Sequence, residues 1–400
     1  MANTLNLGNG NWATKEDSLL GYNSENNNFK PLPFDFTRAS SATVVNKQGL
    51  IETVGSGEPR IDFLGNTNGA LKLEPQRTNL ITQSNDFDTQ SKQNVTVTSD
   101  AIISPDGSLN ADKLVENSAN SSHYLRINTS SSSASVISVF AKKGEETKIF
   151  IGNANFSQGV LFDLDLGVIE SGSDGTIENY GNGWYKCSFY RTDLSAWQYI
   201  SLRGNFTTYQ GNGVNGVYLY GLQLEDGTYP SSLINTQGST VTRLADFCNN
   251  GGNEQVFNSL EGVLYINTAA LTQSGGNRWI SIHDNTGNND IELRYTSNTN
   301  QIRCKYVIGS VAIADVFFTV TDATQFSKIA FKWASADFAL WIDGVEVATS
   351  LTGATSNIAF DELSFDVSNL GSTNFYGNTK DVRVYTTALT DNELAILTTL

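Results

Sequence analysis

Apolar and polar residues alternate along most of the chain. This period-two pattern predicts β-strands, because successive side chains of a strand point to opposite faces. The segments VISVFA (136–141) and VYLYGLQLE (217–225) show it clearly. In FALWIDGVEVAT (338–349), Asp343 and Gly344 separate two alternating runs, which is the signal of a hairpin with a type I′ turn. The predicted fold is all-β, with tandem β-sandwich or jelly-roll domains.

One segment near the C-terminus has a helical pattern instead. Thr390 and Glu393 have the spacing of a capping box, and apolar residues follow them directly. We therefore expect a short helix over residues 391–397.

Changes in composition divide the chain into consecutive segments. The first is rich in Asn, has little apolar periodicity and ends in Pro-Leu-Pro, so it is predicted to be an extended N-terminal arm. The predicted segments are the arm (1–33), a small β-module (34–84), a long β-domain (85–248), an Asn- and Gly-rich linker (249–258) and a second β-domain (259–400).

The charge balance excludes some classes of partner. The 400 residues include 25 Lys and Arg against 41 Asp and Glu, which gives a net charge of −16. Phosphate backbones and anionic lipids repel such a chain, so no nucleic acid is expected as a partner. The first residues lack the basic and apolar regions of a signal peptide, and no apolar run approaches the roughly 18 residues of a membrane span. Membrane insertion is therefore not expected.

The three cysteines, Cys187, Cys248 and Cys304, are far apart in sequence. Their number is odd and no CxxC motif occurs, so neither a disulfide framework nor a zinc site is predicted. We expect three small, buried, apolar side chains.

One block of sequence resembles a known class of proteins. The segments FDFTRASSATVVNKQGLIE (34–52), EPRIDF (58–63) and LKLEPQRTNLITQSNDF (71–87) resemble a block in structural proteins of tailed bacteriophages. The resemblance implies a virion structural protein: a tail fibre, a head fibre or a capsid decoration. In that interpretation the arm 1–33 attaches to the virion. In the same interpretation, the protein is assembled in the host cytoplasm and exposed on the particle surface.

A second resemblance covers the segment 85–248. The runs SLNADKLVE (108–116), GNGWYKCSF (181–189) and LYGLQLEDGTYPSSLINTQGSTVTRLADF (219–247) are similar to a carbohydrate-binding-module-like jelly roll. This similarity implies a lectin-like domain.

A third resemblance covers the segment 259–400. The runs FKWASADFALWIDGVEVA (331–348) and NTKDVRVYTTALTDNELAILTTL (378–400) resemble the laminin-G/concanavalin A-like sandwich. Together the resemblances imply host attachment through cell-surface glycans, with other capsid or tail proteins as partners. Fibres close by cyclic symmetry, so they also imply a homo-oligomer, most simply a homotrimer.

Sequence motifs for catalysis are scarce. The chain has two histidines, His123 and His283, and no G-x-S-x-G motif, so a Ser-His-Asp triad is not expected. The E-x-D-x-x-E pattern of concanavalin A-like glucanases is also absent. We therefore expect a non-enzymatic protein without catalytic residues. Two alternatives remain. One is a phage polysaccharide-degrading enzyme, which a carboxylate pair in a cleft would support. The other is a cellular carbohydrate-binding or adhesion protein, which a signal peptide would support.

Aromatic side chains on the non-core face of strands are candidates for sugar binding, because sugars pack their C–H groups against aromatic rings. In WISIH the two isoleucines are assigned to the core, which turns Trp279 and His283 outward. In FALWI the same alternation turns Trp341 outward. These three residues are predicted to form one patch in the last domain.

A second set of candidates comes from WQYISLR (197–203). With the aliphatic residues in the core, Trp197, Tyr199 and Arg203 lie outside. The alternative for every outward aromatic is that another domain or subunit covers it.

No cofactor is predicted, but the sequence leaves calcium open. Many lectin-like sandwiches bind Ca²⁺ through Asp side chains and loop carbonyls. Asp284 and Asp290 are the candidate ligands in the last domain.

Overall fold

The structure, a computed structural model, is built almost entirely of β-strands, which confirms the predicted fold class. The described part of the chain has one α-helix, Asp391–Thr398, and one turn of 3₁₀ helix, Phe87–Thr89. No helix in this part is long and apolar enough to cross a membrane. The described residues are 3–22, 31–128, 133–153, 158–192, 196–204, 207–276, 278–367 and 373–399.

The chain forms two compact units, and both are discontinuous in sequence. Unit 1 contains residues 1–41, 54–75 and 245–400, and unit 2 contains residues 42–53 and 76–244. The sequence analysis predicted a linear series of domains instead. The predicted small β-module (34–84) is not a unit of its own, because its residues are divided between the two units.

Unit 1 is a β-sandwich with a 12-stranded and a five-stranded sheet. Its strands are Leu5–Gly8, Thr14–Lys15, Ser18–Tyr22, Pro31–Thr37, Ile61–Asp62, Ala70–Leu73, Phe247–Asn249, Glu261–Ala270, Arg278–His283, Asp290–Tyr295, Gln301–Ile308, Val311–Thr319, Ser327–Ala334, Phe338–Ile342, Val345–Ser350, Glu362–Ser364 and Gly377–Tyr385. In the larger sheet, Glu261–Ala270 pairs with Ser327–Ala334 on one side and Gly377–Tyr385 on the other. In the smaller sheet, Arg278–His283 pairs with Asp290–Tyr295.

The two sheets of unit 1 enclose a shared core. Alternate residues such as Ile280 and Ile282 from the smaller sheet and Phe331 and Leu340 from the larger one are fully buried in it. The period-two pattern therefore assigned the core face of these strands correctly.

The N-terminal residues belong to this sandwich, which corrects the prediction of an extended arm over residues 1–33. Leu5–Gly8 pairs antiparallel with Gly377–Tyr385, near the other end of the chain. The side chains of Leu5 and Leu7 are 0% and 2% exposed. The alternation in LNLG is a strand signal, although it is short and surrounded by Asn. Residues 1–2 and 23–30 of the predicted arm lie outside the described residues.

Residues predicted as a linker (249–258) also pack into unit 1. Gly251 forms a β-bridge with Leu363, and Val256 is 2% exposed. The Asn and Gly residues here form turns within the unit.

Buried ion pairs join three parts of unit 1. Arg38 donates to Asp246 at 3.0 Å, and Arg60 donates to Asp246 and, at 2.5 Å, to Glu74. Both guanidinium groups are fully buried, and the neighbouring carboxylates compensate the cost of burying them. These arginines of the block at 34–87 thus hold distant segments of the unit together.

The hairpin and the helix predicted near the C-terminus are confirmed. Asp343 and Gly344 have φ values of 49° and 87°, as a type I′ turn requires. Thr390 caps the helix: its Oγ1 accepts from the amide of Glu393, whose carboxylate accepts from the amide of Thr390. The helix packs Leu394 onto the outer face of the larger sheet.

Unit 2 is a second β-sandwich, with two six-stranded sheets. The strands of this region are Ala42–Val45, Ile51–Val54, Arg77–Asn79, Ser91–Gln93, Val95–Ile103, Leu109–Glu116, Asn120–Ser121, Tyr124–Asn128, Ser135–Lys143, Lys148–Asn153, Gly159–Asp163, Val168–Ser171, Gly175–Asn179, Trp184–Arg191, Trp197–Leu202, Tyr209–Gln210, Gly216–Asp226 and Val241–Arg243. Aliphatic residues from both six-stranded sheets form its core. All three cysteines of the chain are buried and free, as predicted.

Candidate functional site

One six-stranded sheet of unit 2 carries aromatic side chains on the face that points away from the core. The strands Tyr124–Asn128 and Trp197–Leu202 lie side by side, with Arg126 opposite Tyr199. Leu125 is among the alternate residues that are fully buried in the core. The residues between them, including the rings of both strands, therefore lie on the outer face.

Four side chains form a continuous surface there, which we call the aromatic platform: Tyr124, Arg126, Trp197 and Tyr199. The guanidinium carbon of Arg126 lies 3.9 Å from the centroid of the Trp197 ring, a cation–π arrangement. The rings of Tyr124 and Tyr199 meet edge to face, with centroids 5.2 Å apart. All four side chains are partly exposed.

Two glycines extend the outer face of this sheet beyond the platform. Gly152 lies opposite Tyr199, and Gly159 lies opposite Gly152 on the next strand. A Cβ atom at either glycine would overlap the ring of Phe150. The glycines therefore allow the Phe150 ring to lie close against the backbone of the sheet.

The sequence analysis identified two members of the platform and missed two. Trp197 and Tyr199 were candidates, and the structure brings them together. Tyr124 and Arg126 were not, although YLRIN (124–128) has the same alternation of outer and core positions. The sequence could not show that the strands Tyr124–Asn128 and Trp197–Leu202 are neighbours in the sheet.

Arg203 was predicted to be a sugar-binding residue, but its guanidinium group already has partners in the structure. Its Nε and Nη2 donate to the carboxylate of Glu146 at 2.8 and 2.6 Å, and its guanidinium carbon lies 4.0 Å from the centroid of the Tyr209 ring. The hydrogen bonds to Glu146 raise the pKa of Arg203. The side chain therefore has partners within unit 2.

His283 was predicted to point outward, and the structure corrects this. It lies on the non-core face of its strand but is 0% exposed. Its Nδ1 accepts a hydrogen bond from the amide of Asn285 at 3.2 Å, and its Nε2 lies 3.3 Å from the carboxylate of Glu362. Burial lowers the pKa of His283, against the opposing effect of Glu362. The imidazole is therefore an internal group of unit 1.

Trp279 and Trp341 do not form the predicted patch with His283. Trp279 is partly exposed on the smaller sheet, with the guanidinium carbon of Arg294 at 4.5 Å from its ring centroid. Trp341 lies on the larger sheet and is 7% exposed, because the C-terminal helix and Leu389 cover that face. The two tryptophans thus lie on opposite outer faces of the sandwich.

The candidate calcium ligands have other partners in the structure. The carboxylate of Asp284 accepts hydrogen bonds from Thr286 and Asn289 within one turn. Asp290 and Glu292 share the outer face of one strand and are 5% and 4% exposed. Burial, together with the nearby Glu292, raises the pKa of Asp290 to about 7. The described ranges hold no group of three His, Cys, Asp or Glu arranged for a metal ion, and calcium stays a prediction.

The last part of the chain matches a known family model. Residues 263–395 match the family model of the concanavalin A-like lectin/glucanases superfamily. This match confirms the domain type predicted from the runs at 331–348 and 378–400. None of the curated proteins compared with the chain matches it significantly.

Several solved structures match parts of the chain at low similarity. The carbohydrate-binding module of the Ruminococcus gnavus IT-sialidase, bound to α2,3-sialyllactose, is 15% identical with a TM-score of 0.31 and covers 38% of this chain and 93% of its own. Domain 4 of an extracellular arabinanase from Geobacillus stearothermophilus, in complex with arabinotriose, is 16% identical with a TM-score of 0.31 and covers 43% and 84%. Domains LG4-5 of mouse laminin α1 are 11% identical with a TM-score of 0.27 and cover 67% and 86%.

Proposed function

We propose that this protein is a non-enzymatic glycan-binding protein and that its sugar site is the aromatic platform of unit 2. The observation that carries the proposal is the grouping of three partly exposed aromatic rings and a stacked arginine on one outer sheet face. Such rings provide a surface for the C–H groups of a sugar, and the polar atoms at their edges provide orientation. The concanavalin A-like match over residues 263–395 supports the lectin-like character of the chain.

The absence of catalysis is part of the proposal. One carboxylate pair that a polysaccharide-degrading alternative could use is that of Asp290 and Glu292, on one strand of unit 1. Their exposures of 5% and 4% leave little surface for a glycosidic bond to reach both groups. Incubation with polysaccharides should therefore release no new reducing ends.

The location and oligomeric state of the protein are also part of the proposal. We assign the protein to the surface of a phage virion, where it is a fibre or a capsid decoration and most simply a homotrimer. The support is the sequence block at 34–87, which resembles phage structural proteins. A single shallow site binds weakly, and many copies on one particle would supply the avidity that attachment needs.

The test uses the full chain, a glycan array and calorimetric titration of the best ligand. Tyr199→Ala should weaken binding about tenfold or more, since a stacked ring and its contacts contribute roughly 1.4 kcal/mol. Phe317→Ala is the matched control, because this ring is 56% exposed and belongs to unit 1, whereas the platform belongs to unit 2. Equal affinity of wild type and Tyr199→Ala would exclude the platform as the site.

A further inference from the structure

Arg126 is the cationic centre of the aromatic platform. It lies opposite Ser91 on one neighbouring strand and Tyr199 on the other. Its guanidinium carbon lies 3.9 Å from the centroid of the Trp197 ring, a distance that allows the flat face of the guanidinium to stack on the ring. The N–H donors lie in the plane of the guanidinium, so they point to its edges and not into the tryptophan ring. The platform thus presents directed donors beside two tyrosine rings.

Arg126 differs from other cations on the surface of unit 2. Several of those have a carboxylate partner: Lys92 with Asp88, Lys113 with Glu145, Lys143 with Asp165, Lys148 with Glu170, and Arg203 with Glu146. Among the described residues, no carboxylate lies within ion-pair distance of Arg126. Its Nε is buried without a hydrogen-bond partner, as are the Nε atoms of several other arginines among the described residues, so the accessible donors of Arg126 are those of its Nη groups.

This isolation is unusual in a chain with a net charge of −16, where carboxylates are abundant. An arginine fork binds a carboxylate or a sulfate through two parallel N–H donors, and these charge-assisted hydrogen bonds are stronger than those to a neutral hydroxyl. A neutral sugar would offer only hydroxyl acceptors to the same fork. The geometry therefore favours a ligand that brings its own negative charge.

Resting on the proposed glycan-binding function, we propose that the platform selects saccharides that carry an anionic group, a carboxylate or a sulfate. Arg126 binds the anion through its in-plane donors, and Trp197 holds the guanidinium in orientation. The rings of Tyr124 and Tyr199 contact the C–H face of the sugar ring next to the charged one. Arg126 is thus the residue that determines specificity.

The experiment compares matched pairs of saccharides on the full chain by calorimetric titration. The pairs are an oligogalacturonate and its methyl ester, a sialylated trisaccharide and its neutral parent, and a sulfated oligosaccharide and its desulfated form. At least one anionic member should bind about tenfold or more tightly than its neutral partner, and added salt should reduce the difference. The pair of saccharides that shows this difference in affinity identifies the source of the anion.

Arg126→Gln should weaken binding of the anionic member about tenfold or more, so that the anionic and neutral members of the pair bind the variant with affinities within about twofold of each other. Arg303→Gln is the matched control, because Arg303 is a surface arginine of unit 1 that pairs with Asp315. If Arg126→Gln does not fold, the comparison of anionic and neutral saccharides on the wild-type protein alone decides whether the platform is selective. Equal affinity within all three pairs overturns the anionic selectivity and leaves glycan binding in place. Binding of no saccharide at all overturns both proposals.

Discussion

Trp341 and Trp197 occupy equivalent outer positions in their strands, yet their surroundings differ. The alternation of side chains predicted both to point away from the core, and both do. Trp341 is buried by a helix that follows about fifty residues later, whereas Trp197 stays partly exposed. Alternation is a local property, so it predicts which face a residue occupies but not what covers that face. The same reason explains why His283 was predicted to be exposed.

Replacement of Trp341 therefore tests packing. Trp341→Ala should lower the free energy of unfolding by about 3–5 kcal/mol, because it leaves a cavity between the larger sheet of unit 1 and the helix. Glycan binding by unit 2 should be unchanged. Denaturant unfolding measures the effect, with Phe317→Ala as the exposed aromatic control. An unchanged midpoint for Trp341→Ala would show that the helix does not cover this ring in solution.

Asp290 should make stability depend on pH. Its pKa rises from 3.8 in the unfolded chain to about 7 in the folded one, first through burial and then through Glu292. Between these values the folded state keeps a proton that the unfolded state has lost, so stability falls as pH rises from about 4 to 7. The lowered pKa of His283 acts in the opposite direction, since it removes stability as pH falls below 6.5.

The variant Asp290→Asn isolates the contribution of Asp290, because the amide keeps a donor toward Glu292 and cannot ionise. Relative to wild type, the variant should gain melting temperature on going from pH 5 to pH 8, while the His283 effect is common to both proteins. Thermal unfolding of both proteins at four pH values measures this. Parallel curves for the two proteins would mean that Asp290 is ionised in the folded state throughout the range.

At the scale of elements, sequence patterns were reliable where the chain is regular over several residues. They predicted long strands such as Ser135–Lys143 and Gly216–Asp226, the hairpin at Asp343–Gly344 and the capped helix. They failed for Leu5–Gly8, since two leucines in an Asn-rich context give a signal too short to separate from an extended arm. The strand is stabilised by its pairing with Gly377–Tyr385, which no local pattern contains.

The N-terminal strand should be required for stability. Leu5→Ala is expected to cost about 2–5 kcal/mol, because its side chain is fully buried in the core of unit 1. Removal of residues 3–8 would in addition expose the edge of Gly377–Tyr385 and promote aggregation. Denaturant unfolding and solubility are the measurements, with the exposed Lys15→Ala as control. Wild-type stability of the deleted chain would restore the interpretation of residues 1–33 as a detachable arm.

At the scale of the whole molecule, the sequence predicted two β-sandwiches but not how the chain is divided between them. Composition changes along a chain suggest boundaries in linear order. Here residues 42–53 leave unit 1 and residues 54–75 return to it. Arg38 and Arg60 stabilise this return of the chain to unit 1, because both bind Asp246. Asp246 lies where the chain enters unit 1 for the last time.

The pairing of Leu5–Gly8 with Gly377–Tyr385 also determines when unit 1 can close during translation. The strand Leu5–Gly8 leaves the ribosome long before its partner Gly377–Tyr385. Unit 2, which ends at residue 244, is complete well before that point. Pairing between segments so distant in sequence is slow to form. In a nascent chain that stops before residue 377, Leu5 and Leu7 stay exposed to proteases. The arrangement therefore delays the burial of Leu5 and Leu7 until the strand Gly377–Tyr385 has been made.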